Sequence, residues 1–381
     1  MNTRHILSTG LGRCYSEDGD QVDCRGTGQD AEFMPGMGWP EKRFEKLDGH
    51  LVRDLATQLI WTRNSCPSEY PLSWKEGLAF VEQMNRDAKY GRNDWRMPNR
   101  RELRSLIDHS TKKPALTRGH PFQNVFLGWF WTATTASIAP AYAWHVHLEG
   151  GRMFYGKKDG YFWVWPVCGR SDILAATGAT LCYDEQGSVI ACRRSRQDGS
   201  LLMGTPWPRP RYMPCRLFSC FFARNNLYPR YLSRPISRLP GLGVLDRLTG
   251  LVWQSRAGLG GQTATWSEAL ATVCCHAEET GLPWRMPTIN ELESLVDASA
   301  HSPALSPGHP FTDLQQAYWS STTSAFETDW AYVLYLHKGA VGVGYKKNRD
   351  FALWPVMSMP INVDNKESAR CRPPSTNQLE T

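Results

Sequence analysis

The sequence predicts an α+β protein built from two tandem copies of one domain, each with two short helices followed by a small antiparallel sheet. Three observations lead to this prediction. The chain of 381 residues is long enough for two domains of ordinary size. Most of it occurs twice. Within each copy, helix-start signals come before short runs of alternating strand residues, and that order is typical of the α+β class.

The duplication covers nearly the whole chain. The segment DWRMPNRRELRSLID, which ends at Asp108, returns 189 positions later as PWRMPTINELESLVD, which ends at Asp297. Near the N-terminus the offset between the copies is 168, and it then rises to 192, so the second copy carries a 24-residue insertion at about 213–236. We therefore divide the chain into repeat 1, repeat 2 and a polar tail that we expect to be disordered. These three parts are residues 1–170, 171–360 and 361–381.

Each repeat has two helix starts of the capping-box type, in which a side chain at the N-cap and a glutamate three residues later satisfy each other's backbone amides. The cap explains both the residue type and the spacing, so we expect these glutamates to stabilise helices and not to act as general acids. We expect Arg96 and Arg285 to form ion pairs in buried loops. The predicted pairs are Ser73 with Glu76, Asn99 with Glu102, Thr265 with Glu268, and Thr288 with Glu291.

Strand patterns follow the helices in both copies. Repeat 1 contains WFWTATT, AWHVHLEGGRMFYG and YFWVWPV, and repeat 2 contains AYWSSTT, WAYVLYLHKGAVGVGY and FALWPV. The glycine-containing centres EGGR and HKGA indicate hairpin turns between alternating strands. Each repeat should therefore end in an antiparallel sheet.

An ordered string of motifs occurs in both copies: W-R-M-P, then E-L-x-S-L-[IV]-D, G-H-P-F, W-[ST]-[AS]-T-T and W-P-V. This string, spread over about 9–170 and 177–357, resembles the Lcl C-terminal domain family. The resemblance implies a C-type-lectin-like fold in each repeat, export or surface display, and recognition of sulfated, polyanionic glycans, as in the adhesin member of the family. The sequence departs from familiar members because it has no collagen-like segment, no visible signal peptide and no signature of calcium-dependent sugar binding.

The cysteines indicate disulfides. Cys14 and Cys24 enclose a turn, and Cys182 and Cys192 repeat the same spacing, so we expect two hairpins closed by disulfides. Two further pairs are candidates, the first because both members have non-cysteine counterparts in repeat 2, and the second because it would close the insertion. Disulfides favour a periplasmic, secreted or cell-surface location. The two further pairs are Cys66 with Cys168 and Cys215 with Cys220.

The sequence argues against several classes of protein. No run approaches the ~18 apolar residues of a membrane helix, so we expect no membrane span. Neither a nucleophile with a matching base nor a set of ligands at metal spacing is present, and His120, His145 and His147 fit a structural or binding role better. We therefore predict no enzyme, no cofactor and no metal. The remaining catalytic alternative is a cysteine- or metal-dependent enzyme related to the formylglycine-generating oxidases.

The net charge of +6 permits an anionic partner. The preferred prediction is a binding protein that recognises a glycan, another polyanion or a partner protein, through cationic and aromatic residues of the late hairpins. An oligomer is compatible with it, and we do not expect a nucleic acid as ligand. The candidate ligand-binding residues are Arg152, Tyr155, Lys157 and Lys158 in repeat 1, and Tyr345, Lys346, Lys347 and Arg349 in repeat 2.

The alternative is a structural docking subunit of a larger complex. The insertion at 213–236 is rich in aromatic residues and arginine, which is typical of the centres of protein interfaces. Its candidate docking residues are Phe218, Phe221, Phe222, Tyr228 and Tyr231.

Overall fold

The computed structural model describes residues 4–214 and 243–358. Repeat 1 begins with a small disulfide-closed hairpin and a one-turn helix, continues with three strands and two helices, and ends with four strands. Its elements are β1 (Cys14–Tyr15), β2 (Gln21–Val22), α1 (Asp30–Phe33), β3 (Phe44–Lys46), β4 (Leu51–Asp54), β5 (Ile60–Thr62), α2 (Trp74–Arg86), a 3-10 turn (Lys89–Gly91), α3 (Arg100–Arg104), β6 (Trp129–Thr135), β7 (Tyr142–His147), β8 (Met153–Lys157) and β9 (Val167–Cys168).

Repeat 2 has the same order of elements, which agrees with the predicted α+β class and with two domains. Its elements are β10 (Cys182–Tyr183), β11 (Val189–Ile190), α4 (Asp198–Leu201), β12 (Tyr212–Pro214), β13 (Gly243–Asp246), β14 (Leu251–Gln254), α5 (Trp266–Thr280), α6 (Ile289–Ser294), β15 (Tyr318–Thr323), β16 (Trp330–Tyr335), β17 (Ala340–Tyr345) and β18 (Val356–Ser358).

Two sets of predicted features lie outside the described residues. They are residues 215–236 of the insertion, with Cys215, Cys220, Phe218, Phe221, Phe222, Tyr228 and Tyr231, and the tail 361–381.

The predicted helix starts are confirmed. Helices α2, α3, α5 and α6 each begin with a complete capping box at the residues named above. The capping glutamate of the second helix in each repeat also forms an ion pair. Arg96 donates to Glu102 at 2.6 Å, and Arg285 donates to Glu291 at 2.5 Å. Both ion pairs are buried. The expected buried-loop pairs are therefore present, and each links a loop to a helix start.

The central sheet has six strands and joins the two repeats. Its order is β15-β16-β17-β8-β7-β6, so that each repeat contributes three antiparallel strands. The repeats meet where Val341 of β17 pairs with Met153 of β8. The hairpins predicted at EGGR and HKGA are the β7–β8 and β16–β17 turns. Each repeat also has a four-stranded sheet, β3-β4-β5-β9 or β12-β13-β14-β18.

The second helices of the two repeats, α3 and α6, pack beside this junction. Arg104 of α3 donates to Glu293 of α6 at 2.9 Å, and both side chains are buried. Arg101 donates to the carbonyl oxygens of Ser294 and Val296 at 3.1 and 2.9 Å. Because unmatched buried charge is costly, these contacts fix how the repeats sit against each other.

The N-terminal hairpins are exchanged between the repeats. Hairpin 1 (residues 14–22) belongs to repeat 1 in sequence but packs on repeat 2, where Thr328 donates to Gly19 O and Ser267 donates to Glu17. Hairpin 2 (residues 182–190) packs on repeat 1, where Lys75 pairs with Glu185. The contacts of the two hairpins are therefore reciprocal. Each repeat is thus completed by a segment of the other.

Two disulfides are present, Cys14–Cys24 and Cys182–Cys192, one beside each exchanged hairpin. The predicted bond between Cys66 and Cys168 is wrong, because both thiols are free. Cys66 lies beside the Ser65 hydroxyl at 3.5 Å, whereas Cys168 is buried in a separate apolar cluster with Trp95.

Candidate functional site

The hairpin lysines predicted to bind ligand include two that are fully buried. Lys158 donates to the carbonyl oxygen of Asp184 at 2.9 Å, and its ammonium lies 4.2 Å from the ring centroid of Trp74. Lys346 donates to Ser16 O at 2.9 Å and lies 4.0 Å from the ring of Trp266. Both lysines have no exposed surface. Each therefore holds an exchanged hairpin and is not available to a ligand.

Burial changes the proton affinity of both ammonium groups. It lowers the pKa of Lys158 to about 8 and that of Lys346 to about 7, although carboxylates such as Asp184 and Asp329 act in the opposite direction. The desolvation of each ammonium is offset, because the group donates to backbone carbonyls of the docked hairpin and contacts an aromatic face.

Each repeat has a KK pair at this point, Lys157–Lys158 and Lys346–Lys347, and the register of the sheet shows which of these lysines correspond. Tyr142 pairs with Lys157 in repeat 1, and Trp330 pairs with Tyr345 in repeat 2. Lys158 therefore corresponds to Lys346, and Lys157 corresponds to Tyr345. The similarity of the KK pairs reflects one structural lysine in each repeat.

The other predicted ligand residues are mostly engaged. Exposed ion pairs join Lys157 to Asp159 at 2.5 Å, Lys347 to Asp18, and Arg349 to Glu268. The half-buried rings make edge contacts: Tyr155 meets Trp144, and Tyr345 lies against Trp330. Arg152 is exposed. These residues do not converge on one concave site.

The histidines of β7 are packed among aromatic rings. His145 stacks on Trp129 with centroids 4.0 Å apart and meets Phe162 edge-on. Burial, with a smaller effect from the nearby His147, lowers the pKa of His145 to about 3. A neutral, sandwiched imidazole fits the structural role predicted for it. Within the two described ranges, no cluster of three or more histidine, cysteine, aspartate or glutamate side chains is arranged to hold a metal ion.

A cleft with a volume of about 900 Å³ lies elsewhere, where three segments meet. The exchanged segment 10–15 forms one wall, and the loop 110–120 of repeat 1 forms the second. The third wall is formed by Ala325 and Thr328 of repeat 2. Hairpin 1 positions the first wall. Cys14 is bonded to Cys24, and the Gln29 side chain accepts a hydrogen bond from the Tyr15 amide and donates one to the Tyr15 carbonyl oxygen. We call this site the cationic cleft.

The charges of the cationic cleft all have one sign. Arg13, Lys112 and Arg118 are exposed, and none of them forms an ion pair with another described residue. Lys113 pairs with Glu149 at 3.0 Å and lies 5.2 Å from the ring of Phe326. No aspartate or glutamate is found among the described residues that line the cleft. Three free cations thus face one concavity.

The corresponding place in repeat 2 differs in size and charge. The cavity there, beside Leu181 and Ser299, has a volume of only about 20 Å³ and is lined by uncharged residues. Counting along the repeat, Leu181 replaces Arg13, His301 replaces Lys112 and Pro307 replaces Arg118. The shared fold does not require these cations, because repeat 2 folds without them.

The cationic cleft was missed in the sequence because its residues are far apart along the chain and have no motif. One signal could have found it, namely cations that are present in repeat 1 and replaced by uncharged or weakly basic residues in repeat 2. Sequence similarity between the KK pairs pointed instead to residues that the fold itself uses.

The profile of the Lcl C-terminal domain matches residues 50–168 and 243–357, together more than half of the chain. Both matches begin after the exchanged hairpins and end at β9 and β18. No curated protein and no solved structure is similar enough to the chain to be matched. Over residues 4–214 and 243–358, no helix is long and apolar enough to cross a membrane.

Proposed function

The chain belongs to the Lcl C-terminal domain family, and we propose that it is a non-catalytic binding protein that holds an anionic polymer, of the sulfated-glycan class, in the cationic cleft. The observation that carries this proposal is the set of free cations in repeat 1, Arg13, Lys112 and Arg118, around a cleft of about 900 Å³. That volume lies within the usual range for ligand sites, which is roughly 300 to 1,000 Å³.

The arrangement of charge favours a polyanion over a neutral or cationic ligand. Like charges that converge without counter-ions raise the local potential and attract anions. Guanidinium groups can bind sulfate or carboxylate groups through two parallel hydrogen bonds, which gives orientation as well as affinity. The two disulfides fit a place outside the cytoplasm, where such glycans occur. A C-type-lectin-like fold for each repeat is part of this proposal.

The test replaces Arg13, Lys112 and Arg118 together by alanine and measures the affinity for heparin as a soluble sulfated glycan over a salt series. We expect the Kd to rise about a hundredfold at low salt, because several charge-assisted hydrogen bonds are lost. The slope of log Kd against log salt should also fall, by about one for each cation that contacts the polymer.

A control variant removes the same number of exposed cations away from the cleft, at Lys42, Lys46 and Arg170. It should retain nearly all of the affinity. An equal loss in both variants would mean that only the net charge matters, and it would remove the cleft from consideration.

A further inference from the structure

A row of exposed apolar residues lies on repeat 1 beside the cationic cleft. Tyr161 is 66% exposed, Phe126 is 50% exposed and Leu127 is 41% exposed. Phe126 lies against the half-buried Trp163, with ring centroids 6.1 Å apart, and Tyr161 is two residues before Trp163. We call Tyr161, Trp163, Phe126 and Leu127 the aromatic row. Solvent-exposed apolar residues grouped in this way commonly mark an interaction site.

Repeat 2 carries polar or small residues at the matching positions. The bridge of Leu72 with Phe162 matches that of Ala264 with Phe351, so Asp350 takes the place of Tyr161 and Ala352 that of Trp163. The amide of Trp163 donates to Trp129 O and that of Ala352 donates to Ala317 O, so Gln316 corresponds to Gly128. The loop of repeat 2 is one residue shorter, and the single polar residue Gln315 stands where repeat 1 has Phe126 and Leu127. The fold of the repeat therefore does not require the aromatic row.

The aromatic row begins a short distance from the cationic cleft. The amide of Leu148 donates to Gly128 O at 2.9 Å, and the amide of Ala115 donates to Leu148 O at 2.7 Å. Three backbone segments thus run side by side from the loop of Leu127 to the loop that carries Lys112 and Arg118. Adjacent strands are about 4.8 Å apart, so the start of the row lies roughly 10 Å from the cleft wall.

We infer that the aromatic row extends the cationic cleft, and that it binds the apolar faces of sugar rings in the same anionic glycan; this inference rests on the proposed function. A polymer in the cleft must leave it on some side, and on the side of Leu148 the exposed aromatic row begins roughly 10 Å from the cleft wall. Aromatic side chains can pack on the faces of sugar rings that expose only C–H groups, and this contact needs no additional cation.

A nucleic acid fits this surface less well. It carries a phosphate at every nucleotide, so a binding track needs cations along its whole length. The aromatic row contains no lysine or arginine, and nearby Lys157 is paired with Asp159. A glycan whose acidic groups are unevenly spaced matches a cationic cleft that continues into an uncharged aromatic surface.

The test replaces the row by polar side chains of the kind that repeat 2 carries there, through Phe126→Gln, Leu127→Gln and Tyr161→Asp. Three probes are titrated in parallel: heparin, inorganic polyphosphate and a single-stranded DNA oligonucleotide. We expect the Kd for heparin to rise about tenfold. The Kd for polyphosphate, which has no rings, should rise less than twofold, since the cations of the cleft remain. Because Tyr161→Asp also adds a negative charge, Tyr161→Gln serves as the charge-neutral version.

The outcomes separate the two proposals. If the row variant binds heparin like the parent protein while the Arg13, Lys112 and Arg118 variant does not, the inference about the row fails and the cleft stands. If neither variant affects heparin binding, the proposed function fails as well. The inference is also wrong if the parent protein binds the oligonucleotide more tightly than heparin and the row variant raises the Kd of both probes by the same factor. The ligand would then be a nucleic acid.

Discussion

Asp30 and Asp198 are buried carboxyl groups at the points where the exchanged hairpin segments meet the opposite repeat. Thr322 donates to Asp30 at 2.6 Å, and Thr134 donates to Asp198 at 2.7 Å. Burial is the main cause that raises the pKa of each carboxyl to about 6, and the threonine hydroxyls only partly oppose it. At neutral pH the fold therefore carries two charges in surroundings that favour the protonated acid.

The sign of the resulting pH dependence can be worked out for Asp30. Its ordinary pKa is 3.8, so between about pH 4 and pH 6 the folded chain binds a proton that the unfolded chain has lost. This contribution to stability is complete below pH 4 and is lost as the pH rises through 6. Asp30→Asn, which mimics the neutral acid, should stabilise the protein by about 2 kcal/mol at pH 7 and hardly at all at pH 4.

Urea unfolding of the Asp30→Asn variant and the parent at both pH values measures this difference. A variant that is less stable than the parent at pH 7 would show that the charged form is favoured in the fold. Asp20→Asn, at an exposed carboxyl in hairpin 1, is the control and should show no such change between the two pH values.

The lysines of the late hairpins show where residue-level prediction from sequence ends. They were predicted to contact a ligand, but Lys158 and Lys346 are buried and donate to the protein's own exchanged hairpins. A sequence gives the charge of a side chain and not the long-range segment that covers it. Charge alone does not distinguish the free cations Arg13, Lys112 and Arg118 from the buried lysines, and only the comparison of the two repeats separates them.

At the scale of elements, local signals were sufficient for helices α2, α3, α5 and α6 and for the late hairpins. They did not predict the one-turn helices α1 and α4 or the strands β3–β5 and β12–β14, which come before the predicted helices. The capping boxes at Ser73, Asn99, Thr265 and Thr288 set the start of four helices, because the interacting groups are only three residues apart. Hairpins such as β7–β8 are also local. Pairing of β8 with β17 involves a contact between positions 153 and 341, and no local pattern specifies it.

The two disulfides should differ in their effect on binding. Arg13 and Tyr15 of the cationic cleft flank Cys14, whereas no residue of hairpin 2 lines that cleft among the described residues. Cys14→Ser with Cys24→Ser should therefore weaken heparin binding several-fold, since the wall that carries Arg13 loses its covalent tie. Cys182→Ser with Cys192→Ser should leave the affinity unchanged.

Both double variants are expected to melt at a lower temperature, because each loses a cross-link that closes a short loop, worth roughly 3 kcal/mol in the chain-entropy account. Affinity is compared by titration well below either melting point. Equal losses of affinity would show that the effect is one of general stability and not of the position of Arg13.

The whole molecule is a reciprocal exchange enclosed in one chain. Trp74 and Lys158 of repeat 1 are covered by hairpin 2, and Trp266 and Lys346 of repeat 2 are covered by hairpin 1. The two domains inferred from the duplication are present as matching sets of elements. Their boundaries at 170 and 171 stay a prediction, since the hairpins pack across them. The exchange could not be predicted, because the local sequence of a hairpin is compatible with packing on its own repeat as well as on the other repeat.

Separate expression of the halves tests the exchange. Residues 1–170 alone have hairpin 1 but lack the hairpin that covers Trp74 and Lys158. We expect this half to dimerise by docking hairpin 1 of each copy on the other, and to form a 1:1 complex when residues 171–381 are added. Sedimentation equilibrium distinguishes these states. A monomeric half as stable as the full chain would contradict the exchange.

The exchanged arrangement also decides how the protein carries mechanical load. Hairpin 1 follows directly on the first described residues and docks on repeat 2, and the last described strand, β18, is also part of repeat 2. Tension applied between residues 4 and 358 first loads the backbone bonds of residues 4–9, which reach Thr249 of repeat 2 as well as Met37 and His109 of repeat 1, and then the contacts of hairpin 1. Because residues 10–15 form one wall of the cationic cleft, a pull that separates hairpin 1 from repeat 2 would also displace that wall.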